Sequence, residues 1–277
     1  MVPCLFFIMC IMAMSSMGAA FTPPFVSSRP NTLKKASSRS ALNMMAGGRG
    51  FQKVFVAGAS RGVGHAIVQR LSNDGIEVVA LVRSKDASEE LSKFNGVTAV
   101  MGDAFDYKTV ENAMDGCDAA ITTLGGAPED DGKRIDYDGN SNVIEAAGIL
   151  GVSRVILVTS IGCGDSKDAP PPPVYETLKD VLAAKERAEN VLIKYYTQMD
   201  WTIIRPGGLK SEPATGKAIL SQDKMAIGTI HREDLANLVV EALSSANTKR
   251  KILSAIDPSI ESAANAEGRV VEEYVLA

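Results

Sequence analysis

Lys53-Val-Phe-Val-Ala-Gly58-Ala-Ser60-Arg61-Gly62-Val63-Gly64 is the stretch on which the fold of this chain turns. A short apolar strand runs into a glycine-rich turn. A helical pattern follows, with Ile67, Val68 and Leu71 on one side. Gly58 permits the tight turn, Gly62 lets the backbone approach a pyrophosphate, and Gly64 lets the helix pack closely on the strand. Free N–H groups at the start of the helix then face the anion. A second strand, Glu77–Val82, ends in Arg83. A site for NAD carries Asp or Glu there, to hold the ribose 2′-OH. A guanidinium suits a 2′-phosphate instead. The expected ligand is therefore NADP(H), with Ser60, Arg61, Val63 and Arg83 joining the glycines.

Working outward, seven short runs rich in Val and Ile read as buried parallel strands: 53–57, 77–82, 97–101, 119–122, 154–159, 201–204 and 251–255. Helical patterns at 65–71, 142–150, 178–196 and 232–243 lie between them. Such alternation implies βαβ units. Right-handed crossovers then give an α/β fold with one doubly wound parallel sheet, Rossmann-like, in a single domain. Pro170 to Pro173 form a proline run after the fifth strand. They read as a stiff polyproline II loop at the ligand edge, either a spacer or a lid.

Residues 1–50 differ from the rest. They hold five basic residues, no acidic ones and seven of the eleven methionines. Residues 4–14 are an unbroken apolar run of eleven, the length of a signal-peptide core and too short to span a bilayer. Gly18-Ala19-Ala20 and then Phe21-Thr-Pro-Pro follow, with an acid-free, Ser-rich and basic stretch after Phe21. This order resembles the two-part plastid presequence of algae with secondary red-type plastids, cut between Ala20 and Phe21. Plastid targeting is thus expected, with secretion as the alternative. The domain organisation is then a presequence over 1–50 and a nucleotide-binding domain over 51–277. Only Cys117 and Cys163 lie beyond the presequence, which is no disulfide framework.

Without residues 1–50 the chain has 24 basic against 33 acidic side chains, a formal charge of −9. That balance argues against nucleic acid as a partner. No later apolar run is long enough for a membrane span. The partner expected is a small-molecule acceptor or another protein.

Downstream motifs sharpen this. Leu81-Val-Arg83, Gly102-Asp103, Thr123-Leu-Gly125-Gly126, Asp136-Tyr-Asp-Gly139-Asn140, Val158-Thr-Ser160, Lys185-Glu-Arg-Ala188-Glu189 and Arg205-Pro206-Gly207-Gly208 occur in that order. With the glycine loop, they resemble the atypical, NmrA-like branch of the short-chain dehydrogenase/reductase superfamily, over residues 53–258. The resemblance implies that Asp103, with Ala104, contacts adenine. It adds Thr123, Leu124, Gly125, Lys185, Pro206 and Gly207 to the cofactor site.

The same resemblance implies a Ser–Tyr–Lys catalytic group, in which the Tyr moves the proton, the Lys lowers its pKa and holds the ribose, and the Ser orients the substrate oxygen. Ser160 and Lys185 match. The position one helical turn before Lys185 is Val181, which transfers no proton. Tyr175 has the Tyr-x-x-x-Lys spacing to Lys179 and is the remaining candidate. Hydride transfer to a quinone or flavin-type acceptor needs little proton help from a protein. An oxidoreductase acting on a small carbonyl, quinone or flavin-type acceptor is therefore expected, with a non-catalytic NADP(H)-binding scaffold or redox sensor as the alternative. A nucleotide-sugar epimerase or dehydratase needs the Tyr. Cys163 reads as a small pocket residue, with a redox role as the alternative. His65, His231 and Trp201 read as structural, and no His or Cys spacing suggests a metal.

Overall fold

Lys53–Ala57 forms β1, and its alternate residues serve two cores. Val54 and Val56 face Val63, Ile67, Val68 and Leu71 of α1 (Gly62–Asn73), together with Leu235, Val239 and Leu243 of a late helix. Phe55 and Ala57 face the opposite layer, with Val143, Ile144 and Leu192. Each Val, Ile, Leu or Phe among them contributes about 1.5–3 kcal/mol when fully buried. A 12-residue helix such as α1 is marginal alone. Burial of its apolar face is what holds it.

The computed structural model describes residues 50–127, 129, 132–260 and 270–276. The presequence expected over 1–50 lies outside the described residues, save Gly50. After β1 and α1 come β2 (Glu77–Val82), α2 (Lys85–Leu91), β3 (Val97–Met101), α3 (Tyr107–Met114) and β4 (Ala119–Thr122). A single π-turn over Ile135–Gly139 leads into α4 (Asn140–Leu150). Then follow β5 (Arg154–Val158), α5 (Pro172–Tyr195), β6 (Asp200–Pro206), β7 (Gly208–Lys210), β8 (Ile219–Ser221), β9 (Thr229–His231), α6 (Arg232–Ser244) and β10 (Lys251–Ile256). The main sheet runs β3-β2-β1-β4-β5-β6-β10-β8, all parallel except β8. A small parallel pair, β7 and β9, stands apart. The chain order reverses between β1 and β4, which is where an open α/β sheet leaves a ligand crevice. Among the described residues no helix is long and apolar enough to cross a membrane.

All seven expected strands form, with β6 extending through Pro206. Two short helices and three short strands escape sequence reading. α2 and α3 have few apolar residues, and their starts depend on caps: Ser84 accepts from the Ala87 amide and Asp106 from the Lys108 amide. The proline run needs correcting. Pro171 is extended, but Pro172 and Pro173 open α5, because proline fits a first helical turn that has no N–H partner to lose. At the far edge, the Tyr274 amide donates to Leu220 O of β8 at 2.7 Å, and the Tyr274 hydroxyl to Asn247 O at 2.7 Å. The end of the chain thus covers an otherwise open strand edge.

Candidate functional site

A cleft of about 1070 Å³ opens where β1, β4, β5 and β6 end. At one side lie Gly58, Ser60, Arg61, Gly62, Val63 and Gly64. Gly58 has φ of 81°, and a Cβ there would stand 2.6 Å from the Thr123 hydroxyl. A Cβ on Gly64 would run into the Gly58 carbonyl. Neither position admits a side chain. α1 has no side-chain cap and no acidic residue in its first turn. Its leading N–H groups and its dipole are therefore left for an external anion.

Arg83 follows β2 with its side chain 66% exposed, and its Nη1 is 3.9 Å from Glu129 Oε1. Asp103 and Ala104 follow β3 and line the same cleft. Asp103 turns one carboxylate oxygen back to accept from the Phe105 amide at 3.0 Å.

Thr123, Leu124 and Gly125 after β4, Ser160 after β5, Lys185 of α5, and Pro206 and Gly207 line the other end. Lys185 Nζ lies 3.1 Å from Asp136 Oδ1 and donates to Leu124 O at 3.2 Å. Asp136 is fully buried, and its Oδ2 accepts from the Gly126 amide at 3.3 Å. Asn140 fastens this corner, donating to Asp136 O at 2.8 Å and to Leu124 O at 3.3 Å and accepting from the Thr122 hydroxyl at 2.6 Å. The π-turn carries Asp136 into place, and Arg187 lies 3.7 Å from the centre of the Tyr137 ring, stitching the turn to α5. The Lys185 ammonium is thus fixed, and its partial burial is offset by a full countercharge.

Val181 also lines the cleft, one turn before Lys185, beside Leu178, Leu182 and Leu209. None of the six tyrosines does. Tyr175 sits in the first turn of α5, half-buried and outside the lining. Of the residues expected to form the site, it alone is not brought to the cleft.

Behind Ser160 lies an ionic knot. Arg205 is buried, and its Nε and Nη2 donate to Glu189 at 3.0 and 2.7 Å, while Nη1 donates to Asp165 at 2.6 Å. Thr159 donates to the same Glu189 at 2.6 Å. Arg205 therefore sets the wall of the pocket from behind. Cys163 is fully buried, and burial, with Glu189 close by, pushes its thiol up to about 12. Burial likewise pushes Cys117 up to about 11. Neither is a reactive thiolate at neutral pH.

His231, Asp234 and Asp257 also meet, their ligand atoms within 4.8 Å of one another. Asp257 is distant in sequence, so local spacing gave no hint of this group. Asp234 accepts from the Thr215 and Gly216 amides at 2.8 and 3.0 Å. Asp257 accepts from the Ser259 amide and from the Thr215 hydroxyl. The two carboxylates tie down the loop at 211–217.

Residues 58–246 match the model of a family described as NAD(P)H-binding. The chain belongs to that family. Among its relatives is an uncharacterised sugar epimerase, YhfK, of Bacillus subtilis, 30% identical over 203 residues, which covers 72% of this chain and 91% of that protein. An uncharacterised chloroplastic protein of Arabidopsis thaliana is 31% identical over 216 residues, covering 74% of this chain and 76% of its own length. Among solved structures, an anaerobillin reductase of Escherichia coli O157:H7 superposes with a TM-score of 0.69 at 32% identity, over 76% of this chain and 100% of that one. This member of the NAD(P)H-binding family has the cradle its cofactor requires: two glycine positions that a Cβ would fill, an uncapped helix start and arginines on the rim.

Sequence reading gave Asp136 no role and missed Ser211 and Arg232, all of which the fold brings to this site. Asp136 lay inside a recognised motif, but only the contact with Lys185 gives it a task. For Arg232 no local signal exists.

Proposed function

We propose that this protein is an NADP(H)-dependent reductase of a conjugated, quinone- or flavin-like acceptor, of the atypical short-chain dehydrogenase/reductase type. The observation that carries this is Val181, apolar and inside the cleft, where a proton donor is wanted. When bound, the cofactor supplies a hydride. The protein does the rest. Lys185 has three N–H donors. One faces Asp136 and one Leu124 O, which leaves the third for a ribose hydroxyl. Ser160 stands at the end of β5, where it orients the acceptor. Leu178, Val181, Leu182 and Leu209 offer a flat apolar ring an apolar wall. Such an acceptor spreads the incoming charge and takes its proton from water. The similarity to an anaerobillin reductase supports a reductase. The absence of any tyrosine from the cleft lining weighs against an epimerase. Arg61 and Arg83 favour the 2′-phosphate of NADP(H). The chloroplastic relative and the residue pattern of 1–50 support a plastid location.

A second reading rests on the same Val181: a scaffold or redox sensor that binds NADP(H) without turnover. NADPH oxidation against quinones, flavins and simple aldehydes separates the two. Turnover of the conjugated acceptors but not the aldehydes is expected, and Tyr175→Phe should leave it intact. Tight NADPH binding with no turnover of any acceptor would establish the scaffold instead.

A further inference from the structure

Arg232 opens α6, far along the chain from the glycine loop, yet it lines the same cleft. Its Cδ and Nε lie 3.6 Å from the point where a Cβ on Gly62 would stand. Gly62 is the residue whose missing side chain lets a pyrophosphate come close, so the Arg232 side chain lies at the lip of that cradle. Nη1 donates to Ser211 Oγ at 2.7 Å. Among the described residues no carboxylate lies within ion-pair distance of the Arg232 head. A guanidinium offers five N–H donors, and Ser211 engages one.

Ser211 is itself held. The Ala214 amide donates to Glu233 at 3.3 Å, and the Thr215 and Gly216 amides to Asp234 at 2.8 and 3.0 Å. Arg232 is thus fixed at its root by α6 and at its head by a loop that the first turn of α6 anchors. A side chain already tied at its head loses less entropy on binding a ligand than a free one. The need for such a cation follows from the charges. A helix start presents roughly half an elementary charge, whereas a pyrophosphate entering the cleft brings two negative ones. Arg61 and Arg83 line the same cleft, and both are assigned above to the 2′-phosphate.

We propose that Arg232 is a ligand of the dinucleotide pyrophosphate, reaching over Gly62 opposite the α1 amides. It is then a cofactor residue shared by both nicotinamide dinucleotides, and not a selector between them. Fluorescence titration of NADPH, NADH and adenosine 2′-monophosphate into wild type, Arg232→Gln and Arg232→Lys tests this. Arg232→Gln should weaken NADPH and NADH by the same factor, about ten- to a hundredfold, as loss of a charge-assisted contact implies. It should leave adenosine 2′-monophosphate, which has no pyrophosphate, unchanged. Arg232→Lys should recover part of the loss for both dinucleotides. Unchanged NADPH affinity in Arg232→Gln overturns the proposal. A loss confined to NADPH does so too, because it moves Arg232 to the 2′-phosphate. If Arg232→Gln also loses the monophosphate, Arg232→Lys decides: joint recovery of both dinucleotides supports the ligand role, and no recovery of either overturns it. Wild-type binding tests the cofactor reading itself, and the ratio of variant to wild type tests Arg232.

Discussion

Arg83 has two-thirds of its side chain in solvent and only a distant acid, Glu129, nearby. A surface pair of that kind contributes little to stability, about 0–1 kcal/mol. The residue is therefore free to be judged by the ligand it meets. A guanidinium forks onto a phosphate, and an Asp in its place accepts from ribose hydroxyls while repelling phosphate. Arg83→Asp should weaken NADPH by about ten- to a hundredfold, leave NADH no weaker and scarcely move the melting temperature. Equal NADPH and NADH affinity in wild type would remove the basis for selectivity. At this scale the sequence was legible wherever function is local. The glycines and Arg61 sit within seven consecutive residues, so their spacing alone describes a phosphate cradle. Lys185 and Ser160 were placed only by resemblance. Arg232 and the Lys185 pairing of Asp136 were not legible, because nothing in a linear string says that the start of α6 lies over the start of α1.

The elements show why helix and strand were read unequally well. β1, β2, β4 and β5 are buried on both faces, so each appears as a continuous apolar run. β8 and β9 are three residues each, too short for any period to show. The prolines at the start of α5 misled for a definite reason: proline is extended outside a helix and also suits its first turn, and only the following residues decide. α5 and β6 are joined by Glu189 and Arg205, both buried. Glu189→Ala leaves the Arg205 charge with Asp165 alone. Breaking a buried pair in this way costs about 3–5 kcal/mol. Urea unfolding should show that loss as a lower midpoint with little change in slope. A cost under about 1 kcal/mol would mean that Asp165 suffices.

Over the whole molecule, acid should be more damaging than base. Burial raises the Asp257 carboxyl, but the Ser259 and Thr215 hydroxyls and the Ser259 amide outweigh it and hold it below its ordinary value. Burial also raises Asp165, and the Lys224 and Arg205 donors again outweigh it. A depressed carboxylate stabilises the fold fully above its unfolded pKa of about 3.9, and that contribution is lost as pH falls through the lower folded value. The melting temperature should therefore be flat in this respect near neutrality and drop below about pH 4. Asp257→Asn should be less stable at pH 7 and show a shallower acid limb. An equally steep limb in that variant would put the acid sensitivity elsewhere.

The point where the strand order reverses has a mechanical meaning as well as a chemical one. β3, β2 and β1 form one wing of the main sheet, and β4, β5, β6, β10 and β8 form the other. Their direct strand pairing is a single ladder of four residue pairs, from Val54 with Ala119 to Ala57 with Thr122. The cleft lies astride that seam, with Arg83 on one wing and Lys185 on the other. A molecule long enough to touch both is a rivet across a join of only four residue pairs.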